Sequence, residues 1–263
     1  MTRAPTWSVR LDEALSGAEN MALDHTLARD LPGDRGWIRL YRWFAPTLSL
    51  GRNEPALGVV DAAALQEDGV DLVRRPTGGR SVLHDHELTY AVVAPIRALG
   101  GVRATYALIN RALAEGLARL GIPAVQADDG PVEGLDAGPC FRGAAPGEVV
   151  ARGRKLVGSA QVRIGDALLQ HGSILLRNDQ WRISRYLTRD PRQDPPPATV
   201  EELLGRSVAP EEVAQAVRLG FQAVLPGDWR RAPAVGSLER GDRSSPAPDL
   251  LERYRSHEWS WRR

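Results

Sequence analysis

Apolar and polar residues change period several times along the chain, and each change marks an element. Ala18, Met21, Ala22 and Leu27 fall on roughly one face behind the capping box Ser16-Gly17-Ala18-Glu19, which predicts a helix from about Gly17 to Arg29. Trp37-Ile38-Arg39-Leu40-Tyr41-Arg42-Trp43 is aromatic and alternating, a strand pattern broken by Pro46. Thr47-Leu48-Ser49-Leu50, ending at Gly51, reads as its neighbour. A short helix around Asp61 to Glu67 leads into a strand at Asp71–Arg74, a glycine turn, a strand start at Val82-Leu83, and a strand from Glu87 to Val93 closed by Pro95. Tyr106, Ile109, Leu113, Leu117 and Leu120 recur at helical spacing within Val102–Leu120, and Gly121 sits at the expected stop.

Beyond that helix, Ile122–Val125 reads as a strand and Asp128–Gly138 as a Gly- and Asp-rich loop that delivers Pro139-Cys140-Phe141. A β-meander follows. Glu148–Ala151 turns through Arg152-Gly153 into one strand, Lys155–Arg163, which turns at Gly165-Asp166 into Ala167–Leu176. Val213, Val217, Phe221 and Val224 line a helix that begins near Glu211. Pro226–Asp249 is rich in Pro, Gly, Ser and Arg and reads as a linker. Leu250, Leu251 and Tyr254 mark a short C-terminal helix whose Trp259 and Trp261 dock back on the body. This divides the chain into a main body over 1–225, a linker-like segment over 226–249 and a docking helix over 250–263. Strands joined mostly by hairpins predict an α+β fold with a mixed, largely antiparallel sheet flanked by helices. No G-x-G-x-x-G opens a helix after a strand, and there is no phosphate-binding P-loop or G-x-S-x-G elbow.

Composition narrows the function classes. The 263 residues are 43% hydrophobic and 25% charged, as expected of a globular protein. A net charge of +1 argues against a nucleic-acid binder. No apolar run approaches the roughly 20 residues that span a bilayer, and the N-terminus lacks a hydrophobic signal core, so the expected location is the cytoplasm, with no membrane partner.

Three stretches carry candidate chemistry. Arg74-Arg75-Pro76-Thr77-Gly78-Gly79-Arg80 is a glycine turn ringed by guanidinium groups, suited to an anionic or carbonyl-bearing ligand or, more plainly, a basic hairpin turn. Cys140 is the only cysteine, which excludes an internal disulfide and a Cys-based zinc site. Lys155 is the only lysine among 34 Lys and Arg residues, so a compact ammonium is retained at one place in a chain that otherwise uses arginine. Small residues follow it at Gly158-Ser159-Ala160, a sign of close approach by a ligand or another backbone. His84-Asp85-His86 has a metal-like look but no third ligand at suitable spacing, so no metal is expected.

Arg74–Arg80, His84-Asp85 and Gly153-Arg154-Lys155-Leu156-Val157-Gly158-Ser159-Ala160-Gln161 resemble the paired signatures of the lipoate–protein ligase and octanoyltransferase family. Gln170-His171-Gly172-Ser173-Ile174-Leu175, Asn20–Asp24 and Pro46–Arg52 are similar to its neighbouring elements, and Trp259 is also family-like. The resemblance implies the fold of the biotin/lipoate protein ligase catalytic domain. Arg80 stands where the ATP-using ligases carry a third glycine, and Cys140-Phe141 resembles the LipM-type octanoyltransferase branch. Two departures are Arg142 after Phe141 and Glu54, where the family often has glutamine.

The branch implies a cysteine, Cys140, that takes octanoate from octanoyl-acyl carrier protein as a thioester. It then acylates a lysine of a lipoyl carrier domain, on a glycine-cleavage H protein or a dehydrogenase E2 subunit. No cofactor is implied. Lys155, helped by His84 or His171, would hold the thiolate or shuttle a proton. Gly78, Gly79, Gly158, Ser159 and Ala160 would flank the thioester, with Thr77, His171 and Gly172 beside them. Arg74, Arg75 and Arg80 would serve as sheet-edge ion-pair partners or attract acidic carriers. The alternatives are an ATP-dependent lipoate–protein ligase and a non-catalytic carrier-binding protein.

Overall fold

The computed structural model describes residues 4–127, 140–142, 144–188, 196–230 and 245–262. In chain order the elements are β1 (Thr6–Leu11), α1 (Gly17–Arg29), β2 (Arg35–Tyr41), β3 (Thr47–Leu50), α2 (Ala62–Glu67), β4 (Asp71–Arg74), β5 (Val82–His84), β6 (Glu87–Pro95), α3 (Val102–Ala118) and β7 (Ala124–Gln126). There follow β8 (Val149–Ala151), β9 (Arg154–Lys155), β10 (Val157–Ile164), β11 (Ala167–Leu175), α4 (Ile183–Tyr186), α5 (Val200–Leu204), α6 (Pro210–Val224), β12 (Asp228–Trp229), α7 (Pro248–Arg255) and α8 (His257–Trp261). No described helix is long and apolar enough to cross a membrane.

The main sheet runs β10-β11-β6-β2-β1-β12, antiparallel from β10 to β2 and parallel from β2 to β12. Both of its faces are covered, so the central strand β6 is buried almost throughout. Leu88, Tyr90 and Val92 face Ile109, Leu113, Val213 and Phe221 of α3 and α6. Ala91 and Val93 face Met21 and Leu27 of α1, where Tyr254 of α7 joins the same core. The α+β architecture expected from the alternation is the one observed, and the Ser16–Glu19 capping box forms with both reciprocal bonds.

Local patterns misplaced five features. β3 is not the neighbour of β2: β2 pairs with β1 and β6, whereas β3 lies in a separate three-stranded sheet between β4 and β5. β4 and β5 do not pair as a hairpin, because both pair with β3, β4 parallel and β5 antiparallel. The Pro76–Arg80 turn therefore passes over the end of β3, where Gly51 approaches it so closely that a Cβ there would lie 1.9 Å from the Gly79 carbonyl oxygen. Lys155–Arg163 is not one strand. Lys155 pairs with Val150 in a second three-stranded sheet, whereas Val157 pairs with Ile174 in the main one. Leu156, fully buried in the core, is the pivot between them. Strand β1 was not anticipated, although Trp7 and Val9 alternate inward. Within the 226–249 segment, Asp228–Trp229 joins the sheet edge beside β1, and Trp229 stacks on Trp7 at 5.9 Å. Residues 231–244 of that segment lie outside the described residues.

Arg74 corrects one expected role. Its guanidinium is fully buried and donates to the carbonyls of Gly51, Arg52 and Glu54 and to those of Trp259, Ser260 and Arg262. Trp259 Nε1 donates back to the Arg74 carbonyl at 3.0 Å. A planar donor fork meeting these backbone oxygens ties the C-terminal helices to β4.

Arg74→Ala should therefore lower stability by at least about 3 kcal/mol, since it leaves several buried carbonyls unpaired. A urea midpoint reads that loss, and faster proteolytic release of α7 and α8 locates it. His25 supplies a pH dependence. It meets the Tyr254 hydroxyl at 2.9 Å, and burial, followed by the charges of Arg253 and Arg29, pushes its pKa down to about 4. The unfolded chain, at about 6.5, then binds more protons, so this contribution is complete above pH 6.5 and is lost as pH falls toward about 4. Thermal melts between pH 7 and 4.5 should show a smaller drop for His25→Gln than for the wild type.

Candidate active site

The site forms where the second sheet meets the open edge of the first. Across β10 and β11, Gly158 stands opposite Ser173, Ser159 opposite Gly172 and Ala160 opposite His171. Gly172 is a spatial necessity, and Gly158 leaves room for the chain that packs against it. A Cβ on Gly172 would sit 2.0 Å from the Gly158 carbonyl oxygen, and one on Gly158 would lie 3.0 Å from the Phe141 ring and 3.5 Å from Cys140 Sγ. The emptied space receives a short 3₁₀ turn, Cys140–Arg142, anchored by the Cys140 N–H on the Ser81 carbonyl at 3.1 Å and by Phe141 packed against Val82 and Leu175.

Lys155 comes from the other sheet. The two-residue turn Arg152-Gly153 has φ of 51° and 72°, the left-handed pair that reverses a tight hairpin. That hairpin sets Lys155 opposite Val150 and beneath Cys140. Its Nζ lies 3.6 Å from Cys140 Sγ and 2.8 Å from the Cys140 carbonyl oxygen. The half-buried thiol and the buried ammonium, named separately from residue type, thus meet. The ammonium also pairs with both oxygens of Glu148, at 2.8 and 2.7 Å. Burial works against the charge on Lys155, but Cys140 and Glu148 outweigh it, and its pKa is raised.

Glu148 escaped the sequence reading. A signal was present: it lies two residues before Val150, on the same face of the β8–β9 hairpin as Lys155. The helpers expected instead, His84 and His171, are engaged elsewhere. His84 bridges Ser49 Oγ and Glu87 Oε1, each at 2.7 Å, and stacks on Trp43 at 4.0 Å. His171 is held by Asp24 at 3.0 Å and by the Thr77 hydroxyl at 2.8 Å. Burial lowers its pKa despite Asp24, so the neutral ring donates Nδ1–H to Asp24 and accepts from Thr77 at Nε2. Asp24 in turn pairs with Arg39 and accepts from the Tyr41 hydroxyl at 3.0 Å.

A narrow cavity opens beside the sulfur, with apolar walls from Met21, Tyr41, Trp43 and Val82. Gly158, Ser159, Ala160 and Gly172 line it along the strand edge, with His84, His171 and Arg75 among the remaining walls. Arg75 is buried and donates to Ser49 Oγ at 2.6 Å and to the carbonyls of Ser49, Gly78 and Arg80 at 3.0, 3.1 and 2.9 Å. These acceptors are all neutral oxygens, and burial lowers its pKa although Cys140, Glu54 and Glu87 act the other way. Thr77 bonds His171, and the Gly78 and Arg80 carbonyls accept from Arg75, so the glycine turn meets the cavity through those two side chains. Glu54, the residue that departs from the family pattern, braces the same turn by accepting from the backbone N–H groups of Gly51 and Ser81 at 3.0 and 3.1 Å. Asp85, His86 and Asp179 do gather within 4.8 Å of one another, but Asp85 is paired with Arg182 and Asp179 accepts from the His86 backbone and ring.

Residues 16–222 match the model of the lipoyl protein ligase A/B catalytic domain. The chain is 34% identical to octanoyltransferase LipM of Carboxydothermus hydrogenoformans, over 98% of this chain and 99% of that one. It is 37% identical to octanoyltransferase LipM of Kyrpidia tusciae, again over 98% and 99%. Among solved structures, a lipoate-protein ligase A bound with ATP superposes with a TM-score of 0.79 at 23% identity, covering 98% of each chain, which shows a shared fold. The chain belongs to the lipoyl protein ligase A/B catalytic domain family, on the branch of the LipM octanoyltransferases.

Proposed function

We propose that the protein is an octanoyltransferase of lipoate biosynthesis working through a thioester on Cys140. The observation that carries this reading is the contact of Cys140 Sγ with the Lys155 ammonium at the mouth of an apolar cavity. A thiolate formed at Cys140 is compensated by Lys155, and it attacks the thioester carbonyl of octanoyl-acyl carrier protein. A carbon–sulfur bond forms to Cys140, and the carrier's sulfur leaves and takes up a proton. Thioester exchange is close to thermoneutral, so the step needs no ATP. The lysine amine of a lipoyl carrier domain, on a glycine-cleavage H protein or an E2 subunit, then attacks the acyl carbon. The nitrogen gives up a proton to the departing Cys140 sulfur, which leaves beside Lys155. Amide formation makes this second step downhill. The apolar cavity walls suit the octanoyl chain, and the reducing cytoplasm suits a thiol nucleophile.

Mixing the protein with octanoyl-acyl carrier protein should add one octanoyl mass, located on Cys140, and Cys140→Ala should take up none. Ordinary turnover by Cys140→Ala would end this reading. Lys155→Met should remain folded by circular dichroism while capture at neutral pH slows by about 100-fold or more. Stopped-flow or quenched mass spectrometry measures that rate, and recovery of capture at higher pH would mark the lost ammonium as the cause.

A further inference from the structure

We infer that Glu148 prevents Lys155 from capturing the acyl group itself, by holding its nitrogen as an ammonium with no lone pair while Cys140 carries a thioester. The inference rests on the thioester reading above. Lys155 Nζ is 3.6 Å from Cys140 Sγ, so a carbonyl carbon bonded to that sulfur lies within its reach. A free amine at that place would attack the carbon. A C–N bond would form, the C–S bond would break, and the sulfur would leave with the bonding pair and take the proton released by nitrogen. The product, an amide on Lys155, is more stable than the thioester, so each molecule would be acylated once and lost.

The surroundings oppose that reaction. Both Glu148 oxygens meet the ammonium, and the two side chains are only 3% and 5% exposed, so water does not replace either partner. The Ala145 N–H donates to Glu148 Oε2 at 2.7 Å and fixes the carboxylate from a second side. The three N–H bonds of Lys155 are taken by Glu148, the Cys140 carbonyl and the sulfur, and an ammonium has no acceptor site. The charges that act on Lys155 are Glu148 and Cys140 in its favour and Arg80, from the glycine turn, against it. Tyr106 of α3 stands near Glu148 as a neutral phenol. A sulfur in a thioester carries no charge, so compensation of the buried ammonium then falls to Glu148, at the one moment when a neutral amine would be destructive.

The test incubates wild type and Glu148→Gln with octanoyl-acyl carrier protein and no acceptor. Peptide mapping then follows, with and without hydroxylamine, which cleaves thioesters and leaves amides. The wild type should hold a hydroxylamine-labile octanoyl group on Cys140. In Glu148→Gln the group should migrate to Lys155 and become resistant, with the resistant fraction at least ten times that of the wild type. Glu148→Ala gives the same readout should the glutamine variant fail to fold, whereas Glu148→Asp, which keeps the charge, should stay labile. A purely structural role for Glu148 would not change the site of the adduct. The inference is overturned if the folded Gln or Ala variant keeps only a labile adduct, or if the wild type carries a resistant adduct on Lys155 at neutral pH. A wild type that takes no octanoyl onto Cys140 overturns the thioester reading and this inference together.

Discussion

A buried ammonium is the constraint around which the site is assembled. An amine cation removed from water needs an anion and enough acceptors, or it gives up its proton. Lys155 obtains them from two directions, the Glu148 carboxylate from its own hairpin and the carbonyl and sulfur of Cys140 from the 3₁₀ turn. That convergence is possible only because the strand breaks at Leu156, which lets Lys155 belong to one sheet while Gly158 begins the wall of the other. It also needs Gly158 and Gly172, since a side chain at either would push against Phe141 or the neighbouring strand and displace the turn that carries the sulfur.

The opposite wall repeats the principle with a different cation. Arg39 is buried with Asp24 and Asp12, and Asp24 extends the network to His171 and, through that ring, to Thr77 of the glycine turn. Two polar networks, one ending in an ammonium and one in a neutral imidazole, therefore bracket the apolar cavity. The adjacent arginines divide the remaining work because consecutive residues leaving a strand point to opposite sides. Arg74 ties down the C-terminal helices, and Arg75 holds the turn beside the cavity. The Cys140 thiol sits on a short turn laid against this wall.

Much of this was legible locally. The helix at Gly17–Arg29 and the strands at Thr47–Leu50 and Asp71–Arg74 lie where caps, Pro46 and the glycines put them, because those signals act within a few residues. β1 is hard to read because its Trp7 and Val9 alternation covers only two inward positions. The break at Leu156 has no proline or glycine at the pivot, so it could not be told from an ordinary strand position. The β4–β5 hairpin was wrong for a related reason: a glycine turn shows where a chain reverses but not whether a third strand lies between the two arms.

Taken alone, the order of residues determined the α+β class and the family, and it singled out one thiol and one ammonium that the fold brings together. One cysteine and one lysine in 263 residues leave little choice of which thiol and which ammonium can meet. Only tertiary structure decided which groups serve them. Glu148 partners the ammonium where histidines were expected, and Arg74 belongs to the C-terminal clamp. The reason is that capping, turn chemistry and periodicity are encoded over spans of a few residues. Charge pairing in the interior depends on which distant side chains lose water together, and folding alone arranges that.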